Sequence, residues 1–272
     1  KPTMSTRIVS ALIFGILMIG VPLLGYYPTI LLYLCITFGA AREWFRLETF
    51  QPILAWSSSL LFILPLVGVH WRQTNPSIEA EQYLLFLIPI IFFLFLIGIL
   101  LSKGDQPIRK VGHIAAGWIY IGFSFACIPA LILPEYEYQP QILLGILLLT
   151  WSNDSLAYFI GSAIGKNPLF KAVSPNKTLE GSFGGIIGTF IIIWIIGLWI
   201  PKYFTPFWWG MALICAVFGT LGDLVESMFK RHYQVKDTGN IMPGHGGLLD
   251  RFDAMILILP FATIWKILYP LL

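Results

Sequence analysis

A ten-residue stretch that begins at Gly222 carries charged side chains at helical spacing, in the order Gly-Asp-Leu-Val-Glu-Ser-Met-Phe-Lys-Arg. Four of its polar side chains share one face of an α-helix, at offsets of 0, 3, 4 and 7 from the first: Asp223, Glu226, Ser227 and Lys230. Carboxylates grouped in this way suit a cation, and the lysine suits a phosphate. An i, i+4 salt bridge between Glu226 and Lys230 is the purely structural alternative.

A second segment, residues 236–253, combines glycines with acidic and basic side chains. It runs Lys-Asp-Thr-Gly and, after three residues, Pro-Gly-His-Gly-Gly-Leu-Leu-Asp-Arg-Phe-Asp. Glycine lets the backbone adopt positive φ and approach a ligand, and successive N–H groups can hold an anion. Asp250 and Asp253 point the same way from a helix and suit Mg²⁺, which binds carboxylates together with phosphate oxygens. Helix capping explains one aspartate but not two beside Arg251.

Two further segments carry polar groups next to apolar runs. Asp154 lies in Trp-Ser-Asn-Asp-Ser, inside an apolar stretch. A charge at the centre of a membrane helix costs about 2.5–3.5 kcal/mol, so such a residue is a functional candidate; a carboxyl satisfied by neighbouring helices is the alternative. The loop 171–182 offers hydroxyl and ammonium groups for phosphate, or is an ordinary loop with lysines near anionic lipid.

These groups together indicate a class of chemistry. Carboxylates for a divalent cation, basic side chains for phosphates and a glycine-rich backbone are what phosphoryl or nucleotidyl transfer needs. Catalysis of such reactions is mostly positioning and neutralisation of charge.

The rest of the chain must hold these groups in a membrane. Of its 272 residues 57% are hydrophobic and 11% charged, and the mean hydropathy is +0.79, whereas soluble domains are about 25% charged. We predict an all-α polytopic membrane protein, a single transmembrane domain over 1–272. About nine apolar segments are long enough to span a bilayer: 7–25, 28–44, 53–70, 83–101, 112–133, 140–163, 181–200, 205–229 and 252–271.

The spacing from Gly161 to Gly165, from Gly181 to Gly185 and from Gly184 to Gly188 is the small-xxx-small spacing typical of close helix packing. A backbone that approaches a phosphate is the alternative.

The distribution of Lys and Arg predicts the orientation. With the N-terminus inside, the outside loops hold only Arg72 and Lys202, and every other Lys and Arg except Lys266 lies inside. The positive-inside rule therefore favours a cytoplasmic N-terminus. The loops 164–180 and 230–251 are then cytoplasmic and carry the active site, and we expect the inner (plasma) membrane of the cell.

The motifs resemble a known family. The stretch 227–231, followed after four residues by 236–239 and then by 243–253, is similar to the signature of phosphatidate cytidylyltransferases, also called CDP-diacylglycerol synthases. The run 174–181 is similar to that family too. Met242 departs from a more usual branched or aromatic residue. The span count and orientation extend the resemblance over the whole chain.

The resemblance implies a reaction in which CTP and phosphatidic acid give CDP-diacylglycerol and pyrophosphate. It also implies that Mg²⁺ is required, and a second cation could bind beside it. We predict four catalytic residues: Asp223, Lys230, Arg231 and Asp250. The predicted metal ligands are Asp154, Asp223, Asp250 and Asp253. The predicted substrate-binding residues are Ser174, Asn176, Lys177, Thr178, Ser227, Lys236, Asp237, His245, Gly246, Gly247 and Arg251. A phosphate monoester is already anionic, so His245 is predicted to bind substrate rather than to act as a base.

The partners expected on the same basis are CTP, phosphatidic acid and membrane lipids, with a homodimer from the resemblance alone and no nucleic acid. Other CTP-using lipid enzymes, such as a polyprenol kinase or a CDP-archaeol synthase, are the nearest alternatives. An ion-coupled transporter would use intramembrane Asp154 and Asp223, but it would place them near the midplane and within internal repeats. A structural scaffold leaves the charged motifs unexplained.

Overall fold

The computed structural model describes residues 4–48, 53–74, 93, 96–97, 106–132, 137–244 and 246–271. Its α-helices are α1 (Met4–Leu24), α2 (Tyr26–Arg46), α3 (Ile53–Thr74), α4 (Pro107–Gly117), α5 (Ser124–Ile132), α6 (Pro140–Ile164), α7 (Leu179–Trp199), α8 (Pro206–His232) and α9 (Leu249–Leu268). A π-helical turn, Trp118–Phe123, joins α4 to α5. Short 3₁₀ helices cover Pro201–Tyr203 and Tyr269–Leu271.

Five helical segments of the described chain are long and apolar enough to cross a membrane: Met4–Leu24, Pro107–Ile132, Pro140–Ile164, Leu179–Trp199 and Pro206–His232. The predicted class, a helical membrane protein, is confirmed. The predicted segment 83–101 lies almost wholly outside the described residues. The number of nine spans and the orientation of the N-terminus stay predictions.

The chain divides into two compact units, Lys1–Thr29 with Leu131–Leu272, and Ile30–Ala130. In the second unit, the rings of Trp44 and His113 stack 4.9 Å apart. The Trp44 indole donates to the His113 carbonyl at 3.0 Å, so His113 is part of a buried core. The predicted functional residues all belong to the first unit. The single transmembrane domain that the sequence indicates stays a prediction.

Glycines set the distances between helices in the first unit. A Cβ on Gly181 would lie 2.7 Å from the carbonyl oxygen of Ala157, and one on Gly185 would lie 2.7 Å from Asn153 Oδ1. A Cβ on Gly222 would lie 2.5 Å from the carbonyl oxygen of Asp253. Helices α6 and α7, and likewise α8 and α9, can approach this closely only because a side chain is missing at these positions. The predicted packing role of Gly181 and Gly185 is confirmed.

A β-hairpin occupies the connection between α6 and α7. Strands β1 (Pro168–Phe170) and β2 (Ser174–Thr178) pair antiparallel, where the sequence predicts a loop. The hairpin is tied to the start of α7, because the carboxylate of Glu180 accepts hydrogen bonds from the Lys166 amide at 3.1 Å and the Asn167 amide at 3.2 Å. The Asn167 side chain adds a third at 2.7 Å. Thr178 caps α7 by accepting from the Gly181 amide at 3.1 Å.

Candidate active site

An ion pair joins the hairpin to α8. The ammonium of Lys177, near the end of β2, donates to the carboxylate of Asp223. Both side chains are partly exposed, with 29% and 23% of their surface accessible, so an incoming ligand can reach them. The pair brings together two motifs that lie 46 residues apart in the sequence.

Asp223 is also the centre of a group of carboxylates. The Asp223 carboxylate lies close enough to interact electrostatically with the carboxylates of Asp154 on α6 and Asp253 on α9. The close approach at Gly222 explains one of these contacts, because it presses the Asp223 turn of α8 against the Asp253 turn of α9. Three helices thus direct carboxylates to one place, and Lys177 supplies a positive charge beside them.

A second charged network lies one helical turn further along α8. Lys230 donates to Glu226 on its own helix and, at 3.0 Å, to Asp250 Oδ1 at the start of α9. Glu226 is almost fully buried, with 1% of its surface accessible. Its other oxygen has no hydrogen-bond partner among the described residues. The i, i+4 salt bridge offered as the structural alternative is therefore present, within a larger network.

Asp250 organises the glycine-rich loop before α9. Its Oδ2 accepts hydrogen bonds from the Gly247 amide at 2.7 Å, the Thr238 amide at 2.9 Å and the Thr238 hydroxyl at 3.1 Å. Gly246 has a φ of +82°, and a Cβ there would lie 2.7 Å from the same oxygen. This position needs glycine both for its backbone angle and for the space that the carboxylate fills.

The predicted metal ligands fall into two groups. Asp154 and Asp253 each interact electrostatically with Asp223, whereas Asp250 already receives hydrogen bonds at both of its oxygens. Within the part of the chain that the structure describes, no three His, Cys, Asp or Glu side chains are arranged to enclose a metal ion by themselves. The metal assignment stays a prediction.

The remaining predicted residues are placed as follows. Ser174, Asn176 and Thr178 belong to β2, with Asn176 exposed. Arg231 at the end of α8 reaches the hairpin, where its Nε donates to the Val173 carbonyl at 3.3 Å. Ser227 is partly buried on α8.

Three more predicted residues, Lys236, Asp237 and Arg251, are exposed near the glycine-rich loop. His245 lies outside the described residues, so its predicted role stays a prediction.

Two residues that organise the site were not among the predicted ones. Glu180 fixes the hairpin, and Thr238 binds Asp250 through both its amide and its hydroxyl. The partners of Glu180 lie 13 and 14 residues earlier in the chain, so no helical or strand spacing points to them. Thr238 stands within a quoted motif, but only the closed loop shows that its hydroxyl faces an aspartate.

Comparison with known proteins agrees with this geometry. Residues 5–268 match the model of the Cytidylyltransferase family. The phosphatidate cytidylyltransferase of Bacillus subtilis (strain 168) is 34% identical over 269 residues, which cover 95% of this chain and 96% of the relative. That of Staphylococcus haemolyticus (strain JCSC1435) is 32% identical over 262 residues, with the same coverage. That of Staphylococcus aureus (strain COL) is 38% identical over 177 residues, 63% of this chain and 65% of the relative.

The resemblance that the motifs carry is confirmed, since the match extends over nearly the whole chain rather than the signature alone. The chain belongs to the cytidylyltransferase family.

Proposed function

We propose that this protein transfers the cytidylyl group of CTP to phosphatidic acid, which yields CDP-diacylglycerol and pyrophosphate. The relatives that match nearly the full chain are named for this activity. The observation that carries the proposal is the Lys177–Asp223 pair, set among further carboxylates at one end of the helices. A cation-binding surface next to lysines is what a triphosphate requires.

The donor set at the site fits Mg²⁺ bound together with a nucleotide. Mg²⁺ usually keeps several waters and takes only one or two carboxylates in addition to phosphate oxygens. Asp223 and Asp253 offer such oxygens, and Asp154 extends the set. When bound, Mg²⁺ supplies positive charge to the triphosphate; a second cation beside it is part of the proposal.

The side chains of this protein have distinct tasks in the proposed reaction. An oxygen of the phosphatidate phosphate forms a bond to the α-phosphorus of CTP, and the bond from that phosphorus to the oxygen leading to the β-phosphate breaks. Pyrophosphate leaves with the electron pair. Lys177 neutralises phosphate charge as its ammonium turns from Asp223 to the nucleotide. Lys230, held by Glu226 and Asp250, presents a fixed positive charge about two turns further along α8 than Asp223.

The phosphate of phosphatidic acid is anionic near neutral pH, so no general base is needed for its oxygen to attack. Asp250 accepts from the Thr238 and Gly247 amides and so fixes the backbone of the glycine-rich loop, which positions the loop's other polar groups. Such preorganised groups stabilise charge in the transition state without having to reorient.

The proposal includes the topology that the reaction needs. The protein has about nine spans with a cytoplasmic N-terminus, lies in the inner membrane and carries its active site on the cytoplasmic face. CTP is a soluble nucleotide and phosphatidic acid presents its phosphate at the membrane surface, so the two substrates meet there. Lys and Arg are concentrated in the same connections as the site residues. A homodimer is part of the proposal on the resemblance alone.

The test is an assay with purified protein, α-³²P-labelled CTP, phosphatidic acid and Mg²⁺. We expect label to enter the lipid phase with release of pyrophosphate, and we expect EDTA to abolish transfer and added Mg²⁺ to restore it. Asp223→Asn should lose transfer, whereas Lys110→Gln, a loss of one charge elsewhere in the chain, should retain it. Release of CDP in place of pyrophosphate would identify a kinase and overturn the proposal.

Mg²⁺ binding is also measured apart from turnover. Isothermal titration with Mg²⁺ and a non-hydrolysable CTP analogue should give heat with the wild type and much less with Asp223→Asn. Equal heats for the two proteins would remove Asp223 from the metal site even if transfer were lost.

A further inference from the structure

A cavity of about 410 Å³ lies at the end of the first unit that is remote from the carboxylates. It is lined by residues at the start of α6, at the start of α8 and at the end of α9. On α8, 17 residues separate Pro206 at this end from Asp223, which corresponds to about 25 Å along the helix. The cavity is therefore not part of the candidate active site.

Two lysines give the cavity its charge. Lys202 comes from the 3₁₀ helix before α8, and its ammonium lies 5.2 Å from the centre of the Tyr203 ring. Lys266 comes from the last turn of α9, and its ammonium donates to the Leu131 carbonyl at 2.6 Å, which holds it in place. Neither Asp nor Glu is among the described residues of the lining. Glu137, in the preceding connection, is exposed and is not part of it.

The backbone adds to this positive field. Helix α6 begins at Pro140, with Gln139 as its N-cap, and the Gln139 side chain makes no capping hydrogen bond. The Ile142 amide donates to the Gln139 carbonyl at 3.3 Å. The helix dipole places partial positive charge at this end of α6. Gln139 and Gln141 both line the cavity and can donate through their side chains. Two ammonium groups, a helix N-terminus and two amides converge on one space, which suits an anion.

Aromatic rings give the cavity an amphipathic character. The rings of Tyr203 and Trp208 are 5.1 Å apart, and those of Phe207 and Tyr269 are 5.4 Å apart. Tyr and Trp are enriched where helices leave the hydrocarbon and enter the headgroup region. A ligand that has an anionic group and an apolar body fits both parts of the lining.

We propose that this cavity binds the headgroup phosphate of an anionic phospholipid, with Lys202 and Lys266 as its two cationic contacts. Basic pockets between transmembrane helices are a known means of holding such headgroups. The site lies at the opposite end of the helices from the proposed chemistry, so its lipid belongs to the other leaflet and is not the substrate.

The test uses phosphatidylglycerol, which is anionic but is not the proposed substrate. Native mass spectrometry of the full protein, released from a neutral detergent, counts the phosphatidylglycerol bound during a titration. Phosphatidylcholine, which is zwitterionic and has no net charge, is the comparison lipid. We expect the wild type to retain more phosphatidylglycerol than phosphatidylcholine. Each lysine removed should weaken binding about fivefold, as expected for one basic residue near an anionic lipid surface.

Three variants make the outcome decisive. Lys202→Gln alters only an exposed side chain, and the double variant Lys202→Gln with Lys266→Gln keeps a donor for the Leu131 carbonyl. Lys110→Gln removes one charge elsewhere and should bind lipid like the wild type. Transfer activity in all three reports on folding. If the double variant kept the same preference for phosphatidylglycerol as the wild type, the proposed lipid site would be wrong.

A competition experiment then distinguishes a site for a lipid from a site for a soluble phosphate compound. Glycerol 3-phosphate at millimolar concentration should fail to displace the bound lipid, because it has no acyl chains to fill the apolar part. Displacement at low concentration would mean that the site takes a free phosphate compound and would overturn the assignment to lipid.

Discussion

Lys177 on the hairpin forms an ion pair with Asp223 on α8, although 46 positions separate them in the sequence. The pair joins the phosphate-binding motif to the carboxylate motif. It also places a lysine where a cation and a nucleotide are proposed to bind, so the ammonium stands beside the carboxylate until the substrate arrives. Disturbing either residue, or the elements that bring them together, should therefore affect the reaction.

The first prediction concerns Lys177 itself. Lys177→Gln should lower kcat/KM for CTP about 10- to 100-fold, because a hydrogen bond to a charged group contributes about 1.5–3 kcal/mol. Steady-state kinetics of cytidylyl transfer measure this. Lys171→Gln, in the same connection but exposed, is the matched control and should change kcat/KM little. Equal effects of the two substitutions would show that only the total charge of the hairpin matters.

The second prediction concerns Asp250 as the organiser of the glycine-rich loop. Asp250→Ala leaves the Gly247 amide, the Thr238 amide and Lys230 without their shared acceptor, so we expect a loss of about 1–3 kcal/mol in the free energy of unfolding. Asp250→Asn keeps an acceptor oxygen and should recover part of that stability, while activity stays low because the negative charge is gone. Denaturant unfolding in detergent and the transfer assay measure the two effects.

Glu137→Gln, an exposed substitution, is the control for charge in that experiment. An Asp250→Ala protein as stable as the wild type would contradict the role of Asp250 in the loop.

The third prediction concerns Glu180, which ties the hairpin to α7. Glu180→Ala should speed amide hydrogen exchange at Lys166 and Asn167, because both amides lose their acceptor. KM for CTP should rise more than kcat falls, since the loosened hairpin carries Lys177. Glu180→Gln keeps an acceptor and should restore part of both. Unchanged exchange at the two amides in Glu180→Ala would show that the hairpin is held by other contacts.

The fourth prediction concerns the approach of α8 to α9. Gly222→Ala places a methyl group 2.5 Å from the Asp253 carbonyl, and the overpacking should cost about 1–3 kcal/mol and displace Asp223. Gly219→Ala, one turn earlier, is the matched control, because the nearest atom to its methyl group is Ile258 Cδ1 at 3.4 Å, an ordinary contact. Thermal unfolding and transfer activity compare the two. Similar midpoints and activities for both variants would contradict a packing role specific to Gly222.

Much of this protein follows from its sequence alone. The scarcity of charge requires lipid as the solvent, and apolar segments of membrane length require helices, because hydrocarbon leaves a backbone no other partners. The offsets of Asp223, Glu226 and Lys230 place them on one helical face whatever the surroundings. The acidic, basic and glycine residues in 227–253 indicate phosphoryl or nucleotidyl transfer, and the resemblance of this stretch to a known family adds the lipid acceptor.

The tertiary structure decided which of those groups meet. The Lys177–Asp223 pair, the grouping of Asp154 and Asp253 around Asp223, and the hold of Glu180 on the hairpin all join distant parts of the chain. Each depends on how closely two helices approach, which is set at a few glycines such as Gly222. Local spacing says nothing about that distance, because it reports the direction of a side chain and not the position of the neighbouring helix.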